Sequence, residues 1–393
     1  MEGKKLLHSI TLKNLLSYGS EGMTLDLEPL NVLIGPNASG KSNLIDALSL
    51  LAAAPRDLWT PFRGGGSFED WIWKGSAKSQ ADIETKLLFP VGQEVLEYGF
   101  AFTTSDIRFQ IENERLHGAH LYLYRDRPSG ALPTVFSLRE GMPLDFAETV
   151  FDQDEIDPQK SMLSQLRDPI VYPQLTYVGD QLGKIRFFRG WPFGRGNILG
   201  QFQSINLPND FLLSDGSNLG LVLNDLQNRR ETKRLLLEKL KLLYEAVEDV
   251  TTRVQGGGIQ IWFHEEGLER PVPASRLSDG TLHFLCLLTV LLHPDPPPLI
   301  CIEEPELGLH PDVIPHVADL LLDASKRTQL IVTTHSETLV SRLSEVPESV
   351  VVCERDDRGT QLRRLDPEKL RVWLDKYSLG ELWAKGEIGG NRW

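Results

Sequence analysis

The stretch GPNASGKS, Gly35 to Ser42, decides how the rest of the sequence is read. It satisfies G-x-x-x-x-G-K-[ST] at every fixed position. It stands between LNVLI, an apolar run of strand character, and SNLIDALSLLAAA, whose apolar residues fall at helical spacing. Strand, glycine-rich loop, helix is the context in which this pattern cradles a nucleotide's phosphates. Gly35 and Gly40 let the backbone aim N–H groups at phosphate oxygens, and the N-terminus of the following helix adds a favourable dipole. Pro36, Asn37, Ala38 and Ser39 complete the loop, and Asn43 continues into the helix. Lys41 is placed to reach the β- and γ-phosphates, and Ser42 to hold Mg²⁺.

With 393 residues, 41% of them hydrophobic, the chain can bury a large core and build two or three lobes. A net charge of −14 argues against a surface given over to nucleic acid, so any such contact has to come from a local basic patch. Cys286, Cys301 and Cys353 lie in apolar runs without C-x-x-C pairing. That is the pattern of reduced, buried thiols rather than disulfides or a zinc site. The strongly apolar run Phe284 to Leu292 is too short to cross a bilayer, and the basic N-terminus lacks a signal-peptide core. A soluble, cytoplasmic protein is expected.

A second set of residues completes the chemistry. LICIEEPE, Leu299 to Glu306, reads as a buried strand ending in two carboxylates. Glu303 is assigned to the metal and Glu304 to the attacking water as general base. RLSDGTLHFLCLL, Arg276 to Leu288, sets Ser278, Asp279 and Gly280 at the start of an apolar helix, either as a plain helix cap or as a phosphate-binding turn. QLIVTTHSETLV, Gln329 to Val340, is another apolar strand, and it runs out into His335. Ser278 precedes Glu304 by 26 residues and His335 follows it by 31.

That order resembles the ABC-type ATPases, in particular the SMC/RecF/OLD-like branch and its stand-alone prokaryotic members. The resemblance rests on a Walker A motif at Gly35–Ser42, a signature-like Leu277–Thr281, Walker B at Leu299–Glu304, a D-loop region around Leu307–Pro311 and a switch histidine at His335. The signature reads LSDGT, so the second glycine and the glutamine of the usual pattern are absent, and Gln181 and Gln203 are only weak candidates for the Q-loop. The resemblance implies an α/β P-loop core split in sequence, with an antiparallel β lobe and a helical lobe inserted. Residues 1–60 would form the N-terminal part of the core, 61–140 the β lobe, 141–250 the helical lobe and connections, and 251–393 the C-terminal part of the core. It also implies ATP and Mg²⁺ as ligands and a head-to-tail homodimer with two ATP molecules sandwiched in it. There Ser278 of one chain would meet the γ-phosphate held by Lys41 of the other, His335 would sense it and Glu304 would drive hydrolysis.

What the nucleotide operates is less sharply written. The insert is too short for a coiled-coil rod, and ERDDRGT, Glu354 to Thr360, reads as a hairpin turn rather than a nuclease acid cluster. One reading is an ATP-gated regulator of a separate effector protein encoded nearby, as in anti-phage systems, with the C-terminal segment through Trp393 as a docking tail or as a cap on the core. The alternative is a DNA-binding, RecF-like clamp of recombination or repair. Its support is GKIRFFRGWPFGRGN, where Lys184, Arg186, Arg189 and Arg195 interleave with aromatic residues, although the same stretch also reads as a strand and turn with packed aromatics and paired arginines. A small-molecule kinase fits poorly, since it has no need of the Ser278-to-His335 succession.

Overall fold

A computed structural model describes residues 2–64, 67–75, 80–105, 108–118, 122–126, 134–138, 148–151, 157–192, 194 and 198–390. At its centre is a six-stranded sheet in the order Arg186–Phe188, Leu299–Glu303, Gln329–Thr333, Leu30–Ile34, Val350–Asp356 and Gly359–Arg364. The first five strands run parallel and the last folds back as a hairpin. Their sequences are continuous apolar runs because both faces of the sheet are covered. Successive side chains point to opposite faces. Cys301, Ile331, Val351 and Cys353 therefore enter one hydrophobic core, while Ile300, Ile302, Val332, Val350 and Val352 enter the other.

The first core lies under the helix Lys41–Ala53, whose Leu44, Ile45, Leu48 and Leu51 are buried. It is closed by an eight-stranded antiparallel sheet, in which Leu7–Lys13 pairs with both Met23–Asp26 and Gln80–Phe89. From Gln80–Phe89 the sheet continues strand by strand as the meander the alternating pattern predicts, ending in two short strands, Thr134–Leu138 and Glu148–Phe151. The second core lies under the helices Asp279–Leu291 and Ile314–Ala324 and against a small sheet built on Val247–Gln255 and Gly258–Glu265. Periodicity suggests one helical stretch over Gly216–Val247. The chain instead forms two helices, Leu219–Gln227 and Arg230–Leu240, because Asn228 ends the first and turns its side-chain amide back onto the Asn224 carbonyl. All three cysteines are buried and unpaired. Near the C-terminus, Ser378 and Glu381 form a capping box for the helix Leu379–Ala384, and the buried Trp383 indole donates to the Gly390 carbonyl. This tail segment caps the second core; Trp393 lies outside the described residues.

One buried carboxylate ties the β sheet to the helical segment beyond it. Glu114, fully buried, accepts from the Tyr98 hydroxyl at 2.7 Å, from the Met162 amide at 2.8 Å and from the Ser161 hydroxyl. Glu114→Leu would remove the acceptor that these three buried donors share, so a loss of about 3 kcal/mol is expected. Urea unfolding of the two chains measures it.

Candidate functional site

The phosphate loop leaves the strand Leu30–Ile34 and enters the helix at Lys41. Gly35 has φ 151° and Gly40 has φ 103°. A methyl group at Gly40 would stand 2.2 Å from the Thr360 hydroxyl oxygen, and one at Gly35 would stand 2.2 Å from the Cys353 carbonyl oxygen. Both positions are therefore closed to any side chain. Thr360, from the hairpin whose turn lies within ERDDRGT, buttresses the loop by donating to the Ser39 carbonyl at 2.9 Å. Tyr18 donates to the Gly40 carbonyl at 3.1 Å from a fully buried position.

Lys41 folds back over the loop, its ammonium donating to the carbonyls of Gly35 at 2.7 Å and Pro36 at 2.9 Å. Burial lowers its pKa, while Cys353 and Glu304 pull the other way. Across the loop, the Ser42 hydroxyl donates to Glu303 at 2.8 Å. The other oxygen of Glu303 is buried without a hydrogen bond, with only the Arg189 Nε 3.5 Å away as an ion pair. Burial raises the Glu303 pKa; the Ser42 hydrogen bond and Arg189 oppose the rise. A serine hydroxyl beside a carboxylate with an unused oxygen is a hard-oxygen donor set of the kind Mg²⁺ takes alongside nucleotide phosphates. Ser42 and Glu303 fit that ion, and the glycine-lined loop above them fits a phosphate chain.

Glu304 follows at the strand end with φ 46°, a left-handed conformation that costs a non-glycine residue about 1–3 kcal/mol. Its amide donates to the Thr333 carbonyl at 3.0 Å, which pins the turn to the neighbouring strand. His335 lies beyond that strand, its Nε2 3.7 Å from the Glu304 carboxylate. Burial and then Lys41 lower the His335 pKa, with Glu304 and Glu306 opposing, so the ring is mainly neutral at pH 7. The His335 amide and the Thr334 hydroxyl both donate to Glu306, at 2.8 and 2.7 Å. Lys41, Ser42, Asn43, Glu304 and His335, with loop residues Asn37, Ala38 and Gly40, line one open cleft of about 430 Å³.

Ser278, Asp279 and Gly280 are not among its lining residues. They begin the helix Asp279–Leu291, where the Ser278 hydroxyl accepts from the Thr281 amide at 3.1 Å. Gly280 packs against the Gly308 carbonyl of the D-loop region, and Asp279 accepts from the Gly194 amide at 2.8 Å. Gln203 is buried, bonded to the Gly220 amide and nearby carbonyls, and Gln181 opens onto a different pocket. Neither lines the phosphate cleft.

The basic patch divides. Arg189 is paired with Asp46 at 2.5 Å and with Glu303 at 3.5 Å, which draws its guanidinium toward the end of the strand Leu299–Glu303. Phe188 and Trp191 are buried in the second core. Lys184 and Arg186 face a separate pocket, and Arg195 lies outside the described residues. The sequence reading missed Glu306, Arg189 as a partner of Glu303, and Arg355, which lines the phosphate cleft beside the Trp73 ring. Of these, Glu306 had a signal, a third acid in EEPE. Arg189→Ala would remove the cation that competes for Glu303 and Asp46. Half-saturation by Mg²⁺ is expected at a several-fold lower concentration, read by Mg²⁺ titration of nucleotide binding.

A split parallel sheet with this loop, strand-end carboxylates and a histidine one strand over defines an ABC-type P-loop ATPase. The chain belongs to the family described as "AAA domain, putative AbiEii toxin, Type IV TA system", whose model matches residues 30–157 and 192–341. Its fold is that of SMC head domains. It is similar to an SMC head bound to the C-terminal winged-helix domain of ScpA, with 16% identity, TM-score 0.55, and coverage of 93% of this chain and 99% of the other. It is also similar to a Pyrococcus furiosus Smc head domain with an extended coiled coil, bound to the C-terminal domain of ScpA, with 14% identity, TM-score 0.56, and coverage of 94% and 99%. No curated protein matches the sequence. No helix among the described residues is long and apolar enough to cross a membrane.

Proposed function

We propose that the chain is an ATP-operated clamp: two copies close head to tail on two ATP molecules and open on hydrolysis, and this cycle gates a partner effector. The observation that carries the reading is the division of the site. Lys41, Ser42, Glu304 and His335 share one cleft, while Ser278 caps a helix that contributes nothing to it. A second copy related by a two-fold axis would bring its Ser278 to this chain's cleft, and the symmetry would supply the reciprocal contact. In the closed pair, Lys41 and the loop amides bind phosphate, Ser42 and Glu303 would hold Mg²⁺, which would supply positive charge to the phosphates, and Glu304 accepts the proton of the attacking water. His335, its Nε2 3.7 Å from the Glu304 carboxylate, reports whether the terminal phosphate is present. The toxin–antitoxin description of the family and the ScpA domain bound to the similar SMC heads support a partner protein; the setting proposed for it is defence against phage.

Complementation tests the shared site. Lys41→Ala and Ser278→Arg chains are each expected to be inactive as ATPases. Mixed in equal amounts, they would form heterodimers with one intact site, restoring about a quarter of the wild-type rate under random pairing. No recovery on mixing, with both variants folded, would rule out a shared site.

A further inference from the structure

A second pocket, larger than the phosphate cleft, lies away from it at the opposite end of the central sheet. Its floor is where the strands begin. Arg186 opens the strand Arg186–Phe188, Pro296–Pro298 lead into Leu299–Glu303, and Arg327 precedes Gln329–Thr333. The strands are parallel to Leu30–Ile34, which delivers the phosphate loop at its far end, so about 15 Å of strand separates the two sites. The pocket encloses about 690 Å³. That falls within the span of ligand clefts, about 300–1,000 Å³.

The lining is cationic in a chain of net charge −14. Two of its five basic groups are already engaged. Arg229 pairs with Asp295 at 2.8 Å and Asp225 at 3.4 Å, and Arg327 pairs with Asp323 at 2.9 Å and donates to the Leu291 carbonyl. The other three, Lys4, Lys184 and Arg186, have no ion pair among the described residues. Arg186 donates only to the carbonyls of Gly183 and Ile185, each at 3.2 Å. Burial lowers the Arg186 pKa and Arg56 adds to the effect, with the Asp210 charge opposing. A half-buried guanidinium held by neutral carbonyls, with two exposed ammonium groups lining the same hollow, is a site that lacks its anion. Phe211 and the three prolines add apolar wall, and His293 meets the Phe211 ring edge-on at 5.1 Å.

We infer that this pocket binds a phosphate-bearing ligand through Lys4, Lys184 and Arg186, separately from the ATP held by the phosphate loop. Guanidinium and ammonium groups with unspent donors make their strongest contacts with such anions. The phosphate has two sources, a free phosphorylated small molecule or the backbone of a nucleic-acid strand, and the test separates them.

Binding is measured in the full-length Lys41→Ala chain, which lacks the phosphate-loop lysine. The probes are a fluorescent AMP analogue and a fluorescein-labelled short single-stranded DNA, followed by anisotropy in low salt. Saturable binding of the AMP probe assigns the pocket to a small phosphorylated ligand. Salt-sensitive binding of the DNA alone assigns it to a nucleic-acid backbone. In either case Arg186→Ala is expected to weaken binding about tenfold or more. Lys184→Glu, at an exposed position, is expected to weaken it in the same direction without risk to the fold. If neither probe binds, or if Lys184→Glu leaves binding unchanged, the inference is overturned. Wild-type binding that Lys41→Ala removes belongs to the phosphate loop, so the two sites fail or stand independently.

Discussion

Glu304→Gln is expected to bind ATP as the wild type does and to lower its turnover by about 100-fold or more. The carboxylate follows the buried strand Leu299–Glu303, its backbone is forced to φ 46° and tied to Thr333, and His335 stands 3.7 Å away. These contacts fix where the group points. Glutamine keeps the size and one carbonyl oxygen but cannot take a proton. Nearly all the loss should therefore appear in kcat, with KM and the nucleotide Kd little changed. Single-turnover hydrolysis beside equilibrium binding measures both. A variant that hydrolyses ATP at the wild-type rate would remove Glu304 from the role of base.

Lys41→Ala is expected to weaken nucleotide binding by about 100-fold, below detection in an ordinary titration. The ammonium is the cation that lies in the loop, and it is already largely desolvated, held by the Gly35 and Pro36 carbonyls. Phosphate oxygens would exchange for those two neutral acceptors, a gain in charge pairing that alanine cannot make. The loop itself should keep its shape, since Thr360, Tyr18 and the two glycines hold it without the lysine. Calorimetric titration with a non-hydrolysable ATP analogue gives the affinity, and an unchanged thermal midpoint would show that the loss is local.

What was legible in the sequence follows the range of the interactions. The phosphate loop is local: strand, two glycines and helix lie within about twenty residues, and each has a pattern of its own. The apolar strands before Glu303 and His335 read equally well, because burial on both faces leaves an unbroken apolar run. Arg189 could not be placed in the same way. It follows a strand of three residues that pairs with Leu299–Glu303 more than a hundred positions later, and without that pairing it looks like one more member of a basic patch. The same short strand sends Arg186 to one end of the sheet and Arg189 to the other. Ser278 marks a different limit. A serine that caps a helix and a serine that also meets a neighbour's phosphate have the same sequence and the same contacts within one chain.

Closure on ATP is the central claim, and mass in solution tests it most directly. Light scattering of the Glu304→Gln chain, with and without ATP–Mg²⁺, should show a doubling of mass with nucleotide and none without it. A chain of unchanged mass under saturating ATP–Mg²⁺, with nucleotide demonstrably bound, would contradict the clamp.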